Sequence, residues 1–417
     1  VCFLVSTFLY AQERLGEWKA LTSIINVRDV ICTEEAIYAA TGGGIFQIKD
    51  EQYSTYTTID GLNGVDLSCL TLDHQSNLWI GGDAPFGFLQ VYDIKNNSSI
   101  ASFDFGLTSI IDIQINGMLA WALFQDGIDV GFMKFIFDGQ WEYRDSYSNY
   151  PEGSGKINCF TISDSIVFLG MENGLYAASI NDNMKDPNNW TKKLIDFNEE
   201  ITSIQSNENR IIFTTNTSIY EYNLSNDILN EIDFTYELTN ARNLNVTPQG
   251  YWFSDNENLY LRSNDIDLLV DDRFEITSIS HQSGQFIAGL TSGILFINEN
   301  EGDYTASRLV PNSPATGSFS AITILEDGRL VGGSGHGISI FNGLGWRNIL
   351  EIKTTGSKAI QTDYDFNFFI SDTVEYDFGE YIADLEQGPD GLVYCAIRGS
   401  RVFSSNPPRW SGGVIVL

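Results

Sequence analysis

An all-β chain of tandem sheets is the fold class that the sequence predicts, and three observations carry it. Twenty-seven Phe, nineteen Tyr and eight Trp stand against only four Met, a balance that favours strands over helices. Short apolar runs are broken by turn residues, and no 3.6-residue periodicity is sustained. Above all, one stretch of sequence recurs nine times. The copies fall at residues 36–46, 78–89, 119–128, 166–176, 211–220, 251–260, 286–295, 330–339 and 392–403. Ile45 and Ile338 are equivalent and lie seven intervals apart, so 338 − 45 = 293 residues give about 42 per unit. That is the length of one four-stranded β-propeller blade.

Each part of the repeat has a physical reason. Pairs such as Ile201-Thr202-Ser203-Ile204 and Ile276-Thr277-Ser278-Ile279 suit an innermost strand, where blades crowd an axis and side chains must be modest. The β-rich run, as in Ile37-Tyr38-Ala39-Ala40, is the second strand, and the Gly-Ile/Leu-Phe/Tyr segment is the third. Between them, Gly43, Gly174, Gly293 and Gly337 are expected to supply the positive φ of a tight hairpin. A fourth, outer strand carries an aromatic, as in Trp141-Glu142-Tyr143, Trp190-Thr191 and Trp346-Arg347.

Nine units exceed the four to eight of an ordinary ring. The Pro311-Asn312-Ser313-Pro314-Ala315-Thr316 stretch follows the seventh and marks a boundary. The expected organisation is a seven-bladed propeller over residues 12–310 and an incomplete second propeller over 311–417, with an insertion at about 351–377. The last residues, Gly412 to Leu417, read as mid-strand. The alternative is a first ring closed by strands encoded beyond Leu417.

The opening run Val1-Cys2-Phe3-Leu4-Val5-Ser6-Thr7-Phe8-Leu9-Tyr10-Ala11 is too short to span a bilayer and is followed by Gln12-Glu13-Arg14. It reads as the remnant of a signal peptide, residues 1–11, and hence an exported protein; a buried first strand is the competing reading. No later segment reaches 18 apolar residues, so no membrane span is expected. Cys32, Cys69, Cys159 and Cys395 fall about one per unit inside strand patterns, which favours buried free thiols over disulfides.

Charge and motifs narrow the function. Fifty-five acidic against 23 basic side chains give a net charge of −32, which excludes a nucleic-acid partner because a polyanion would be repelled. With 43% hydrophobic residues the chain is not a disordered acidic tail. His74, His281 and His336 lie in different units near turns and show no metal spacing. The acid pairs Asp265/Asp267, Asp271/Asp272 and Asp363/Asp365 offer oxygen ligands for calcium, yet none continues as an EF-type loop, and solvated loop carboxylates are the simpler reading. Gly42-Gly43-Gly44 precedes a strand and not a helix, so it is a hairpin turn and no phosphate cradle. Lys192-Lys193 and Arg398/Arg401 are the close basic groups. Trp79, Trp121 and Trp252 occupy second strands, and Trp18, Trp141, Trp190, Trp346 and Trp410 outer ones; packing between blades explains them better than a sugar-stacking platform. No catalytic, cofactor or metal residue is expected, and no ligand-binding residue can be named from the sequence.

The wording of the units, notably Ile37 to Phe46, Asp60-Gly61-Leu62-Asn63 and Asn77-Leu78-Trp79-Ile80-Gly81-Gly82, resembles the two-component regulator propeller repeats of Bacteroidetes-type bacteria. Gly16-Glu17-Trp18-Lys19, the blade ending in Asp-Gly-Leu and the final Trp410-Ser411-Gly412-Gly413-Val414-Ile415-Val416 resemble the PorZ family within that group. The resemblance implies a non-enzymatic component of the type IX secretion system at the outer-membrane surface. It also implies partnership with the sortase and with the anionic lipopolysaccharide that the sortase attaches to cargo. The alternative is the periplasmic, oligosaccharide-sensing region of a hybrid two-component regulator. A propeller glycosidase or lyase is the weakest reading, since no acid/base constellation stands out.

Overall fold

Apolar residues three apart fall on opposite faces of a regular strand, because side chains alternate with period two. The inner strands resolve this conflict with a β-bulge. In the computed structural model, pairing passes directly from Ile201↔Thr215 to Ser203↔Thr214 and from Ile276↔Leu290 to Ser278↔Gly289, so Thr202 and Thr277 are skipped. The same slip occurs at Val27/Asp29, Leu67/Cys69 and Ile157/Cys159, and opposite Leu123/Phe124, where Ile111 is skipped. One extra residue returns both apolar members to the core. Val27 and Val30, Leu67 and Leu70, Ile110 and Ile113, Ile157 and Phe160, Ile201 and Ile204, and Ile276 and Ile279 are all buried.

The structure describes residues 19–417 except 85, 249, 256–257, 264–265, 283, 301–302, 350, 354–358, 363–367, 372–374, 378–381 and 403–408. The signal-peptide assignment and Trp18 therefore lie outside the described residues. The first sheet takes Val27–Cys32, Ile37–Thr41, Gly44–Lys49 and Gln52–Tyr56 in chain order, all antiparallel. Six more four-stranded sheets repeat that order, starting from Asp66–Leu72, Ser109–Asn116, Ile157–Ser163, Ile201–Asn207, Arg242–Thr247 and Ile276–Gln282. An eighth holds Ala321–Ile324, Leu330–Ser334, Gly337–Phe341 and Trp346–Ile349. Among the described residues the helical elements are two three-residue 3-10 turns, Thr58–Asp60 and Pro187–Asn189.

The ninth repeat departs from the expectation of a simple insertion before it. Ala359–Thr362 and Phe368–Ser371, from the supposed insertion, join Ile382–Gln387, Val393–Val402 and Arg409–Val416 in one five-stranded sheet. Glu351–Lys353 pairs with Glu375–Asp377 to frame that excursion.

The hairpin glycines are as expected at Gly174, Gly293 and Gly337, with φ of +105°, +132° and +110°. In the first sheet the equivalent residue is Gly44 (φ +117°), not Gly43. Gly43 serves a close approach instead: a Cβ there would lie 2.2 Å from the Ser23 carbonyl oxygen. This lets residues 19–24 lie on the first sheet, where Thr22 Oγ1 donates to the Gly43 carbonyl at 2.5 Å.

The core lies between successive sheets. Trp79 packs with Ile110, Met133, Phe135 and Trp141 across the second and third sheets. Trp121 and Phe132 pack with Ile157, Phe160 and Trp190 across the third and fourth. Trp252 joins Ile276 and Phe286 across the sixth and seventh. These five tryptophans are core residues, as the repeat implied. The first and seventh sheets also meet: Val30, Ile37 and Phe46 cluster with Ile287 and Ile294, and the Cys32 N–H donates to Ser280 Oγ at 2.9 Å. Cys32, Cys69, Cys159 and Cys395 are free thiols.

Candidate functional site

The inner strands converge, and the residue after each skipped position is polar or a thiol: Asp29, Cys69, Asp112, Cys159, Ser203 and Ser278, with Asn243 in the sixth sheet. A bulge leaves backbone groups without ladder partners, and Asp29, Ser203 and Asn243 bind such groups across sheets. Asp29 accepts the Val30 N–H at 2.8 Å and, from the next sheet, the Leu70 N–H at 2.9 Å. Ser203 Oγ accepts the Leu244 N–H at 3.1 Å, and Asn243 Nδ2 donates to the Ile276 carbonyl at 2.9 Å. Asp112 accepts the Ile113 N–H at 2.8 Å and Gln114 Nε2 at 3.2 Å, while that amide also donates to the Phe160 carbonyl at 2.6 Å.

Crowding sets the electrostatics. Asp29 and Asp112 keep some solvent-facing area yet are surrounded by protein, and burial is the main force raising both carboxyls above the ordinary range. Asp29 is pushed up to about 7; its two backbone hydrogen bonds oppose the shift and the Asp112 charge adds to it. Burial likewise drives the Cys69 and Cys159 thiols up, with Asp112 adding to each. Thiols held protonated are poor nucleophiles and poor metal ligands. Among the described residues no group of three or more His, Cys, Asp or Glu is placed to hold a metal ion.

One mouth of this region carries an ion cluster. Arg28, the skipped residue of the first inner strand, bridges Asp66 at 2.6 Å and Asp83 at 2.9 Å and donates to the Leu67 carbonyl at 3.2 Å. Burial still raises the Asp83 carboxyl, so the Arg28 charge does not fully offset desolvation. In the sixth sheet Arg242 reaches Glu275 at 3.5 Å, and its Nε is buried without a partner among the described residues.

Among the described residues, those singled out in the sequence do not assemble into a site. His74 packs edge-on to Phe137, with ring centroids 4.6 Å apart; His281 stacks on Phe286 at 4.3 Å, where burial lowers its pKa; the His336 N–H caps Ser334 Oγ at 3.0 Å. Asp267 accepts Arg262 at 2.7 Å and the Thr235 N–H at 2.7 Å, and Asp271 holds Arg273 Nε at 2.9 Å. Asp265, Asp363 and Asp365 lie outside the described residues, as do the side chains of Arg398, Arg401 and Trp410. Lys192 lies over the Tyr176 ring at 6.0 Å. The inner-strand acids escaped notice because each unit was read for its apolar pair. Aligning the third position of every apolar-x-x-apolar segment would have exposed the Asp-Cys-Asp-Cys-Ser-Asn-Ser series.

No family model matches the chain, and no curated protein matches it in sequence. Solved structures do. The chain is similar to PorZ, an essential bacterial surface component of the type-IX secretion system of Porphyromonas gingivalis, at a TM-score of 0.66 and 15% identity. The match covers 95% of this chain and 60% of PorZ, so the chain spans less than two thirds of that protein. The architecture is that of a β-propeller. The WD40 propeller domain of Doa1 is similar at a TM-score of 0.53 and 11% identity, over 67% of this chain and 96% of that domain. The extracellular domain of BT4673 of B. thetaiotaomicron, described as a one-component system, is similar at 0.51 and 13%, over 90% of this chain and 56% of that one. Among the described residues no helix is long and apolar enough to cross a membrane.

Proposed function

We propose that the chain is an exported, non-enzymatic propeller scaffold of the PorZ type, acting at the outer-membrane surface as an accessory of type IX secretion. Residues 12–310 form its seven-bladed first propeller and residues 311–417 begin a second. Its partners are the sortase and the anionic lipopolysaccharide delivered to it. The observation that carries this reading is the likeness to PorZ across 95% of the chain. The chemistry of the convergence point supports a non-enzymatic role: its acids are tied up in backbone hydrogen bonds and its thiols are held protonated. A net charge of −32 opposes an anionic glycan overall, so neutral sugars of the polysaccharide make the contact.

Surface plasmon resonance on the immobilised chain tests this, with purified anionic lipopolysaccharide and soluble sortase as analytes. Saturable binding of either supports the scaffold. Binding of neither, with saturable binding of a neutral oligosaccharide, supports the second reading, a periplasmic sensing region, which the likeness to the BT4673 extracellular domain favours.

A further inference from the structure

A groove of about 450 Å³ lies between the outer strand of the second sheet, Ser98–Leu107, and the third sheet, away from the convergence point. Its wall is aromatic. Phe105 and Tyr143 are 42% and 39% exposed, with ring centroids 4.9 Å apart and planes tilted by 49°, and Phe135 backs Tyr143 at 5.8 Å. Tilted rings present a corner and not the single flat face that a sugar ring would stack on. Its rim is anionic. Asp126 and Asp129 face each other across the hairpin joining Leu119–Asp126 and Asp129–Phe137, so both side chains fall on one face. Like charges directly opposite destabilise a sheet, and among the described residues neither carboxylate has a hydrogen bond or ion pair. Among the described residues no Lys or Arg lines the groove.

We infer that this groove receives a cationic side chain, arginine or lysine, from an extended segment of a protein partner. Two unneutralised carboxylates supply charge-assisted acceptors, and the aromatic corner supplies the negative ring faces that attract a cation. A cation seated between Asp126 and Asp129 would offset their mutual repulsion. This inference is independent of the secretion reading.

Calorimetric titration of the full chain with acetyl-Gly-Arg-Gly-Arg-Gly-amide tests it, in about 150 mM salt so that long-range attraction is screened. The expected result is saturable one-site binding, weakened roughly tenfold by D126N/D129N and roughly tenfold by F105A. Y143A serves as a second aromatic variant, and thermal melts confirm that each variant is folded. The remote control D182N/E237Q, which removes the same charge from other exposed positions, should bind as the unaltered chain does. Equal weakening in the control would reduce the effect to net charge and overturn the inference. So would the absence of saturable binding, or tighter binding of a neutral hexasaccharide than of the peptide.

Discussion

Replacing Asp29 with Asn should flatten the dependence of stability on pH. The Asp29 carboxyl titrates near 7 in the folded chain against 3.8 unfolded. Between those values the folded state holds a proton that the unfolded state has released, so stability falls as pH rises. Each pH unit inside the window is worth about 1.4 kcal/mol, and from pH 5 to pH 7 the loss is about 2 kcal/mol once the approach to the folded pKa is included. Above pH 8 the contribution of this group is flat. Asn keeps one acceptor oxygen, so one of the bonds to Val30 and Leu70 is lost at every pH, about 1 kcal/mol. Urea denaturation of both proteins across pH 5 to 8 gives the curves, and subtracting them removes the shared contribution of the other acids. The unaltered-minus-variant difference should fall by about 2 kcal/mol from pH 5 to pH 7, so that Asp29→Asn becomes the more stable form near neutrality. Parallel curves would show that Asp29 is ionised throughout and that the account of its burial is wrong.

Two further outcomes follow from the packing. Trp121→Ala should cost about 3–5 kcal/mol in denaturant unfolding, because the fully buried ring fills the space between the third and fourth sheets. Asp73→Ala should lower stability by about 1–3 kcal/mol, because Asp73 Oδ2 accepts the buried Trp141 indole N–H at 2.9 Å while Oδ1 caps the Gln75 and Asn77 N–H groups; Asp73→Asn, which keeps an acceptor, should lose less.

Much of the fold was legible because the repeat states its strands in order. Ile37-Tyr38-Ala39-Ala40 is a second strand buried on both faces and therefore uninterruptedly apolar, and Trp141 and Trp346 mark outer strands as expected. The hairpin glycine of the first sheet was misplaced by one residue, because three consecutive glycines carry no side chain to show which takes the positive φ and which admits Ser23. The excursion at 351–377 was illegible for a different reason: pairing such as Ile360↔Val414 joins residues far apart in sequence, and no local pattern records it. The convergence point was half legible. Its apolar pairs stood out, whereas Asp29 and Asp112 look like ordinary strand-edge polar residues until the bulges bring them against a neighbouring backbone.

The meeting of the first and seventh sheets bears on how the chain comes into being. Each of these sheets is made wholly of consecutive residues, so no strand of one is lent to the other, and side-chain packing with a few side-chain hydrogen bonds fastens them. The Cys32–Ser280 hydrogen bond spans 248 residues. At a synthesis rate of about 5–20 residues per second, the apolar side of the newborn first sheet waits on the order of 10–50 s for Ile287 and Ile294. During that interval Val30, Ile37 and Phe46 are an open invitation to other nascent chains, and a holding chaperone that recognises this one surface would govern the yield of folded protein.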